Sequence, residues 1–160
     1  MRKHGSMKRD VPERRKAKEA LPEALAKLRE VDRYRVGHLA TADANGKPLV
    51  VPLCFACSWT FIYSVVDEKP KRLPAARLRR LRNIQANPQV TLLVDHYEED
   101  WGRLSYILVE GTAELLTKEA EHNVALRLLR KKYPQYRKMA LADKPVIKIS
   151  PRKVIHWKAR

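Results

Sequence analysis

Three strand-like runs follow one another in the first half of the chain, separated only by short connections. The runs are Tyr34 to Ala42, Lys47 to about Ala56, and Ser58 to Val66, the last being rich in aromatic and β-branched residues. Between the first two, Asn45 and Gly46 tolerate positive φ and favour a tight hairpin. Because strands joined by such short turns pair antiparallel, this part of the sequence predicts an antiparallel sheet.

Two longer strands and two short ones complete the predicted sheet. Gln89 to His96 and Arg103 to Leu116 are the longer pair, separated by the acidic and aromatic loop YEEDWG. The chain closes with two strand-like pieces interrupted by Pro151, which indicates an edge or a bulge because proline cannot donate a ladder hydrogen bond. Five or six antiparallel strands with peripheral helices predict a mainly β fold, a small closed or partly closed barrel.

Three segments show the apolar spacing of amphipathic helices. The first ends at about Asp32, the second stops at Asn87 and Pro88, and the third begins at a Thr117 cap and continues to about Lys132. Their predicted buried positions are Leu25, Leu28 and Val31; Leu78, Leu81 and Ile84; and Ala120, Val124 and Leu128. The arginines of the second segment are therefore predicted to be mostly surface charges: Arg77, Arg79, Arg80 and Arg82.

The formal charge of +16 is concentrated in two segments, and such a field attracts polyanions of any kind. Residues 1–20 are predicted to form a flexible basic arm, because they hold too little apolar surface to fold alone. Residues 21–160 are long enough for one compact domain. The second basic segment has seven Lys or Arg residues and no acid between Lys69 and Arg82.

Several classes of protein are disfavoured by the sequence. No apolar stretch reaches the roughly 18 to 20 residues of a membrane span, and the N-terminal segment lacks the apolar core of a secretory signal, so a cytoplasmic protein without a membrane partner is expected. Cys54 and Cys57 lie in a strand-like run and are predicted to be reduced packing residues. The serines show no nucleophile motif and the acidic loop has no metal-ligand spacing, so enzymatic chemistry would come from a bound cofactor.

Six phrases occur in order along the chain: RVGHLAT, GKPLVVPLCFA, IYSVVDEKPKR, RLRRLRNIQANP, VTLLVDHYEEDWGRL and ILVEGTAEL. Together they resemble the pyridoxamine 5'-phosphate oxidase-like split-barrel superfamily, and especially its branch of probable F420-dependent oxidoreductases. The resemblance covers about Asp32 to Leu116 well. It implies a homodimer of six-stranded antiparallel split β-barrels with flavin-type cofactors at the dimer interface. It also implies an oxidoreductase that transfers a hydride between the cofactor and an unidentified small molecule.

The resemblance also implies where the cofactor would lie. Two strands would flank its ring, the third would lead to its phosphate, basic residues just after that strand would grip the phosphate, and the aromatic loop would approach from the partner subunit. The implied cofactor-binding residues are His38, Leu39, Ala40, Thr41, Val50, Val51, Pro52, Ser64, Lys69, Lys71, Arg72, Trp101 and Arg103. Several relatives place Ser or Thr after the phosphate-binding basic residue, whereas this chain has Leu73 and Pro74.

The identity of the cofactor and the catalytic residues stay open at the level of sequence. F420 is favoured over FMN, because its acidic oligoglutamate tail suits a long basic surface. Tyr63, Tyr97 and His38 are candidate general acids. Two other classes remain as alternatives: a nucleic-acid-binding β-barrel, disfavoured by the few aromatic residues but compatible with the charge, and a non-catalytic flavin- or haem-binding protein with His38 or His156 as axial ligand.

Overall fold

A computed structural model describes residues 27–67 and 78–160 of the chain. The predicted basic arm and the predicted phosphate-binding residues Lys69, Lys71 and Arg72 lie outside the described residues. The helices are α1, of which residues 27–31 are described, α2 (Arg79–Ala86) and α3 (Ala120–Lys132). The strands are β1 (Gly37–Ala42), β2 (Pro48–Leu53), β3 (Ala56–Cys57), β4 (Ile62–Val65), β5 (Gln89–His96), β6 (Ser105–Leu116) and β7 (Val146–Lys158).

The strands form one antiparallel sheet in the order β2-β1-β5-β6-β7-β4-β3. Its two edge strands, β2 and β3, are consecutive in the chain and are joined only by Cys54 and Phe55. Two residues cannot bridge the width of a flat sheet of this size, so the sheet must curl until its edges meet. The predicted mainly β, antiparallel split-barrel fold is therefore confirmed.

The hairpin between β1 and β2 is built as its sequence indicates. Gly46 has a φ of 80°, the conformation that glycine adopts without a steric penalty. The Asp43 carboxylate accepts the backbone N–H groups of Asn45 at 3.0 Å and Lys47 at 2.9 Å. These hydrogen bonds stabilise the charged form of the carboxylate and lower the pKa of Asp43. Interactions among neighbouring residues thus define the turn.

The predicted third strand, Ser58 to Val66, is shorter in the structure, where it is β4. An additional short strand, β3, precedes it and brings the number of strands in the sheet to seven. Residues 58–60 form a turn in which the Ser58 hydroxyl accepts the N–H groups of Phe61 at 2.9 Å and Thr60 at 3.3 Å. The turn separates the two-residue strand β3 from β4. The prediction of one strand here was wrong because the local bonding of a serine hydroxyl competes with strand pairing.

The two predicted closing pieces form one strand, β7, which pairs along the whole length of β6. The register shifts between Glu110 and Gly111, where Gly111 faces Pro151 while Glu110 faces Lys153. The extra residue, Arg152, makes a β-bulge, in agreement with the bulge that Pro151 indicated. Side chains alternate between the faces of a strand, so the bulge changes which residues of β7 point outward.

Two apolar clusters stabilise the fold. The first fills the inside of the curled sheet with Leu39, Leu92, Val109 and other inward side chains, closed by residues of α1 and α2. Leu81 and Ile84 of α2 are buried there, as predicted. The second cluster lies between α3 and the outer side of β4 and the first part of β7.

The predicted buried stripe of α3 was wrong. The helix buries His122, Ala125, Leu126 and Leu129, whereas Val124 is 38% exposed. It also begins at Ala120 rather than at a Thr117 cap. In this orientation Glu121 accepts from Lys148 Nζ at 2.8 Å and from the Tyr63 hydroxyl at 2.7 Å.

Side chains close the seam where the sheet edges meet. The Tyr133 hydroxyl oxygen accepts the Phe55 N–H at 3.0 Å and lies 2.7 Å from the Phe55 carbonyl oxygen and 2.9 Å from that of Arg35. Asp32 Oδ1 accepts the Cys57 N–H at 2.8 Å and Lys132 Nζ at 2.9 Å. Burial raises the pKa of Tyr133 to about 12. The seam therefore uses side-chain partners in place of a strand ladder.

Replacing Tyr133 with phenylalanine should lower the free energy of unfolding by about 2 kcal/mol, because the buried Phe55 N–H loses its acceptor. Urea denaturation followed by circular dichroism measures this difference. The matched control is Tyr97→Phe, whose side chain is exposed and should change stability by less than about 0.5 kcal/mol. Equal effects of the two substitutions would show that the Tyr133 hydroxyl does not hold the seam.

The two cysteines carry free thiols and are half-buried, in agreement with the prediction of reduced packing residues. Burial raises the pKa of the Cys57 thiol well above its usual range, which disfavours the reactive thiolate. None of the helices in the described part of the chain has the length and apolar composition of a membrane-spanning segment.

Candidate functional site

One surface of the barrel is left uncovered by the described helices. The outer side of the sheet is covered by α3 near β4 and the start of β7, while the outer side of the other strands faces away from the helices. We call this surface the open face. Its outward side chains are Val50 and Pro52 on β2, His38 and Ala40 on β1, Thr91, Leu93 and Asp95 on β5, Tyr106, Leu108 and Glu110 on β6, and Lys153, Ile155 and Trp157 on β7.

The open face exists in this form because of the β-bulge. Leu108 pairs with Ile155, and Tyr106 pairs with Trp157. Without the extra residue at Arg152, strict alternation would turn Ile155 and Trp157 inward. The bulge therefore completes the apolar surface across five strands.

The centre of the open face is an apolar depression of about 550 Å³. Leu93, Leu108 and Ile155 form its floor, and His38 and Asp95 stand at one side. At the end of the face, the rings of Tyr106 and Trp157 stack at a centroid distance of 5.4 Å. A contiguous exposed apolar surface of this kind is typical of a binding or subunit interface.

A second depression of about 360 Å³ lies on the same face, toward the start of β2. Small side chains, Ala40 and Ala42, lower the surface there. Arg152 donates a hydrogen bond to the Gln89 side-chain oxygen at its rim. The open face thus offers an apolar centre for a flat ring and polar groups at its margin.

Charged groups at the other margin are paired. His38 Nδ1 lies 3.9 Å from Asp95 Oδ1. In the loop after β5, Glu98 Oε1 lies 2.9 Å from His96 Nε2 and 3.1 Å from Arg103 Nε. Glu98 of the acidic loop is therefore paired with both of these basic side chains.

The predicted cofactor-binding residues fall into several groups. Four of them share the open face: His38, Ala40, Val50 and Pro52. Those on the inner side of the same two strands are Leu39 and Thr41, which are buried, and Val51, which packs on the core. Ser64 is buried in β4, away from this face. Trp101 and Arg103 lie in an exposed 3-10 turn of the β5–β6 loop.

Sequence reasoning missed the apolar residues of β5, β6 and β7, namely Leu93, Leu108 and Ile155. Each of these residues has apolar neighbours in the chain, so around these positions the sequence shows no alternation that separates an open face from the core. The register of the strand pairs was the missing information.

The arginines of α2 differ in their hydrogen bonds and in their exposure to solvent. The Arg79 side chain donates to the backbone carbonyls of Pro48 at 3.3 Å and Lys47 at 3.5 Å, so it ties the helix to the β1–β2 hairpin. Arg82 is exposed, as predicted for a surface charge. Arg80 is half-buried, and burial lowers its pKa although Asp67 opposes the shift.

Comparison with known proteins identifies the family. A family model described as pyridoxamine 5'-phosphate oxidase matches residues 21–158. The chain therefore belongs to the pyridoxamine 5'-phosphate oxidase family, which confirms the resemblance seen in its sequence. No curated protein matches the chain by sequence.

Three solved structures illustrate the range of proteins with this fold. A conserved hypothetical protein from Mycobacterium tuberculosis is 19% identical over 84% of each chain, with a TM-score of 0.67. A heme storage protein from Vibrio cholerae is 15% identical over 87% of this chain and 96% of its own, with a TM-score of 0.62. An FAD-binding protein from Mesorhizobium loti is 26% identical over 83% of this chain and 90% of its own, with a TM-score of 0.60.

Proposed function

We propose that the protein is a homodimeric oxidoreductase that binds a flavin-type cofactor on the open face, between two copies of the chain. The observation that carries this proposal is the uncovered apolar surface that spans five strands of the sheet in a member of this family. Val50 is 60% exposed and Trp157 43% exposed on that surface, although both are apolar. A second copy and a bound ring would remove such side chains from water, which is favourable at about 25 cal/mol per Å².

The chemistry of the residues fits the cofactor class. The isoalloxazine or deazaflavin ring is flat and largely apolar, and the floor formed by Leu93, Leu108 and Ile155 suits it. A bound ring of this kind supplies hydride transfer. Half-buried Arg80, together with Lys69, Lys71 and Arg72 outside the described residues, supplies cations for its phosphate.

The chain's own residues would bind and orient the cofactor and the substrate, and would exclude water from them. The open face would place a small-molecule substrate against the ring, and the partner subunit would shield both from solvent. His38 lies beside Asp95 at the side of the apolar depression, so it is the candidate that could deliver a proton there. Tyr63 is instead committed to Glu121 on the far side of the molecule, and burial raises the pKa of its hydroxyl.

F420 is the proposed cofactor, with FMN as the alternative, because the chain's charge of +16 suits an acidic tail beyond the phosphate. Titration of the purified protein with F420, FMN and FAD in turn, followed by ligand fluorescence, tests this order. F420 is expected to bind in the micromolar range. Absence of binding by all three, together with single-stranded RNA binding that weakens steeply with salt, would contradict the proposal and favour a nucleic-acid-binding protein.

The phosphate site has its own test. Lys69→Ala and Lys71→Ala should each weaken cofactor binding about tenfold, since each removes a charge-assisted hydrogen bond. Arg82→Ala is the matched control: it removes the same charge from an exposed position of the same basic segment and should change binding less than about twofold. Equal losses from all three would indicate nonspecific electrostatic attraction.

Haem binding is a second candidate function, favoured by the position of His38 in the apolar depression. His156 is less suited, because it points to the inner side of the sheet and its Nδ1 lies 3.0 Å from Glu30 Oε2. A Soret band that forms on adding haem and is lost in His38→Ala, but retained in His96→Ala, would support haem as the ligand. An unchanged band in His38→Ala would exclude His38 as the axial ligand.

A further inference from the structure

A separate groove of about 420 Å³ lies on the side of the molecule that carries α1 and α3. Leu28 of α1, Trp59 of the β3–β4 turn, and Val124 and Leu128 of α3 give it mostly apolar walls. None of these residues belongs to the open face. The volume lies within the range of about 300 to 1,000 Å³ that is usual for small-molecule sites.

The aromatic wall of this groove is held in place. Trp59 is 62% exposed, yet it lies in a turn closed by the Ser58 N–H bond to the Phe61 carbonyl at 2.8 Å. The Ser58 hydroxyl fixes the same turn through the N–H groups of Thr60 and Phe61. An exposed tryptophan on an ordered turn is a preformed contact, because little conformational freedom is lost when a ligand packs on it.

The charges around the groove select an anion. The Arg29 guanidinium carbon lies 4.2 Å from the centroid of the Trp59 ring, and no carboxylate among the described residues pairs with Arg29. Asp32 also lines the groove, but its Oδ1 is bound by Lys132 Nζ at 2.9 Å. Among the described residues the acid is therefore neutralised while the arginine is not, which leaves a net positive charge on the described part of the groove.

We propose that this groove is a second binding site, distinct from the open face, for small aromatic carboxylates. The aromatic body packs against Trp59, Val124 and Leu128, and the carboxylate pairs with Arg29. The site does not depend on the proposed cofactor or on a partner subunit.

Three tryptophans make the proposal directly testable by NMR. Trp59 lies in the groove, Trp157 on the open face and Trp101 in the β5–β6 loop. Naphthalene-1-carboxylate is added to the 15N-labelled full-length protein, and the indole N–H signals, assigned with Trp→Phe variants, are followed. The expected result is a saturable shift of the Trp59 signal with little change in the other two.

Two substitutions in the groove, one control substitution on the open face and an uncharged probe distinguish the contribution of Arg29 from that of the apolar wall. Arg29→Met should weaken naphthalene-1-carboxylate about tenfold but leave the affinity for naphthalene-1-methanol unchanged, since only the carboxylate pairs with the guanidinium. Val124→Glu should weaken both probes, because it places a carboxylate in the apolar wall. Leu108→Glu, on the open face, should affect neither.

The proposal is overturned if the Trp59 signal does not shift saturably. That result is expected if the groove is already filled, either by other residues of the chain or by another protein. It is also overturned if Trp157 shifts instead of Trp59, or if Arg29→Met weakens the acid and the alcohol equally.

Discussion

Replacing Leu108 with glutamate is expected to leave a folded monomer that binds F420 or flavin at least about 100-fold more weakly than the wild type. Leu108 lies in the middle of the open face, paired with Leu93 on one side and Ile155 on the other. A carboxylate at this point would have to be desolvated by the second copy and by the cofactor ring, at a cost of several kcal/mol. Outside the complex the same side chain is accessible to water, so folding is little affected.

Sedimentation velocity measures the oligomeric state, and fluorescence titration measures the cofactor affinity. Val124→Glu is the matched control, since it makes the same charge change at an exposed apolar residue on the α3 side of the molecule. It should remain dimeric and bind the cofactor normally. A wild type that is monomeric at micromolar concentration, or a Leu108→Glu variant that is still dimeric, would contradict the proposed interface.

Replacing Gly111 with alanine is expected to lower the free energy of unfolding by about 3 kcal/mol. A Cβ atom at Gly111 would lie 2.3 Å from the Ser150 carbonyl oxygen and 3.0 Å from its carbonyl carbon. Both atoms belong to the backbone of β7, so no side chain can move aside to relieve the overlap. The β6–β7 pair, the longest in the sheet, would have to separate at the bulge.

Chemical denaturation in urea measures this loss. Gly102→Ala is the control, because Gly102 is exposed and its added Cβ would meet only the flexible Asp100 carboxylate, at 3.2 Å. Its effect should stay within about 0.5 kcal/mol. A Gly111→Ala protein as stable as the Gly102→Ala protein would mean that the strands tolerate a wider spacing at the bulge.

Features that depend on neighbouring residues were predictable from the sequence. Asn45 and Gly46 indicated the hairpin, and the spacing of Leu81 and Ile84 identified the buried side of α2. The ordered phrases also identified the family, which the match over residues 21–158 confirms. A few nearby residues carry the information for the turn and the helix, and the order of the phrases along the chain carries it for the family.

Features that depend on packing were not predictable in the same way. The sequence of α3 offers more than one apolar stripe, and the buried stripe is the one that packs in the second apolar cluster against β4 and the first part of β7. The contacts that close the seam could not be predicted from the sequence either, because Tyr133 and Phe55 are 78 residues apart. Only the folded chain brings such groups within hydrogen-bond distance.

The sequence by itself determined an antiparallel β-barrel and its family, because turns, strand propensity and helix periodicity are local properties of the chain. The tertiary structure alone decided which surface stays open. Around Leu93, Leu108 and Ile155 the strands β5, β6 and β7 carry consecutive apolar residues, so which of them is exposed depends on where α3 packs and on the bulge at Arg152. Of the seven assigned cofactor residues on β1 and β2, four share the open face because inward and outward side chains alternate along these strands.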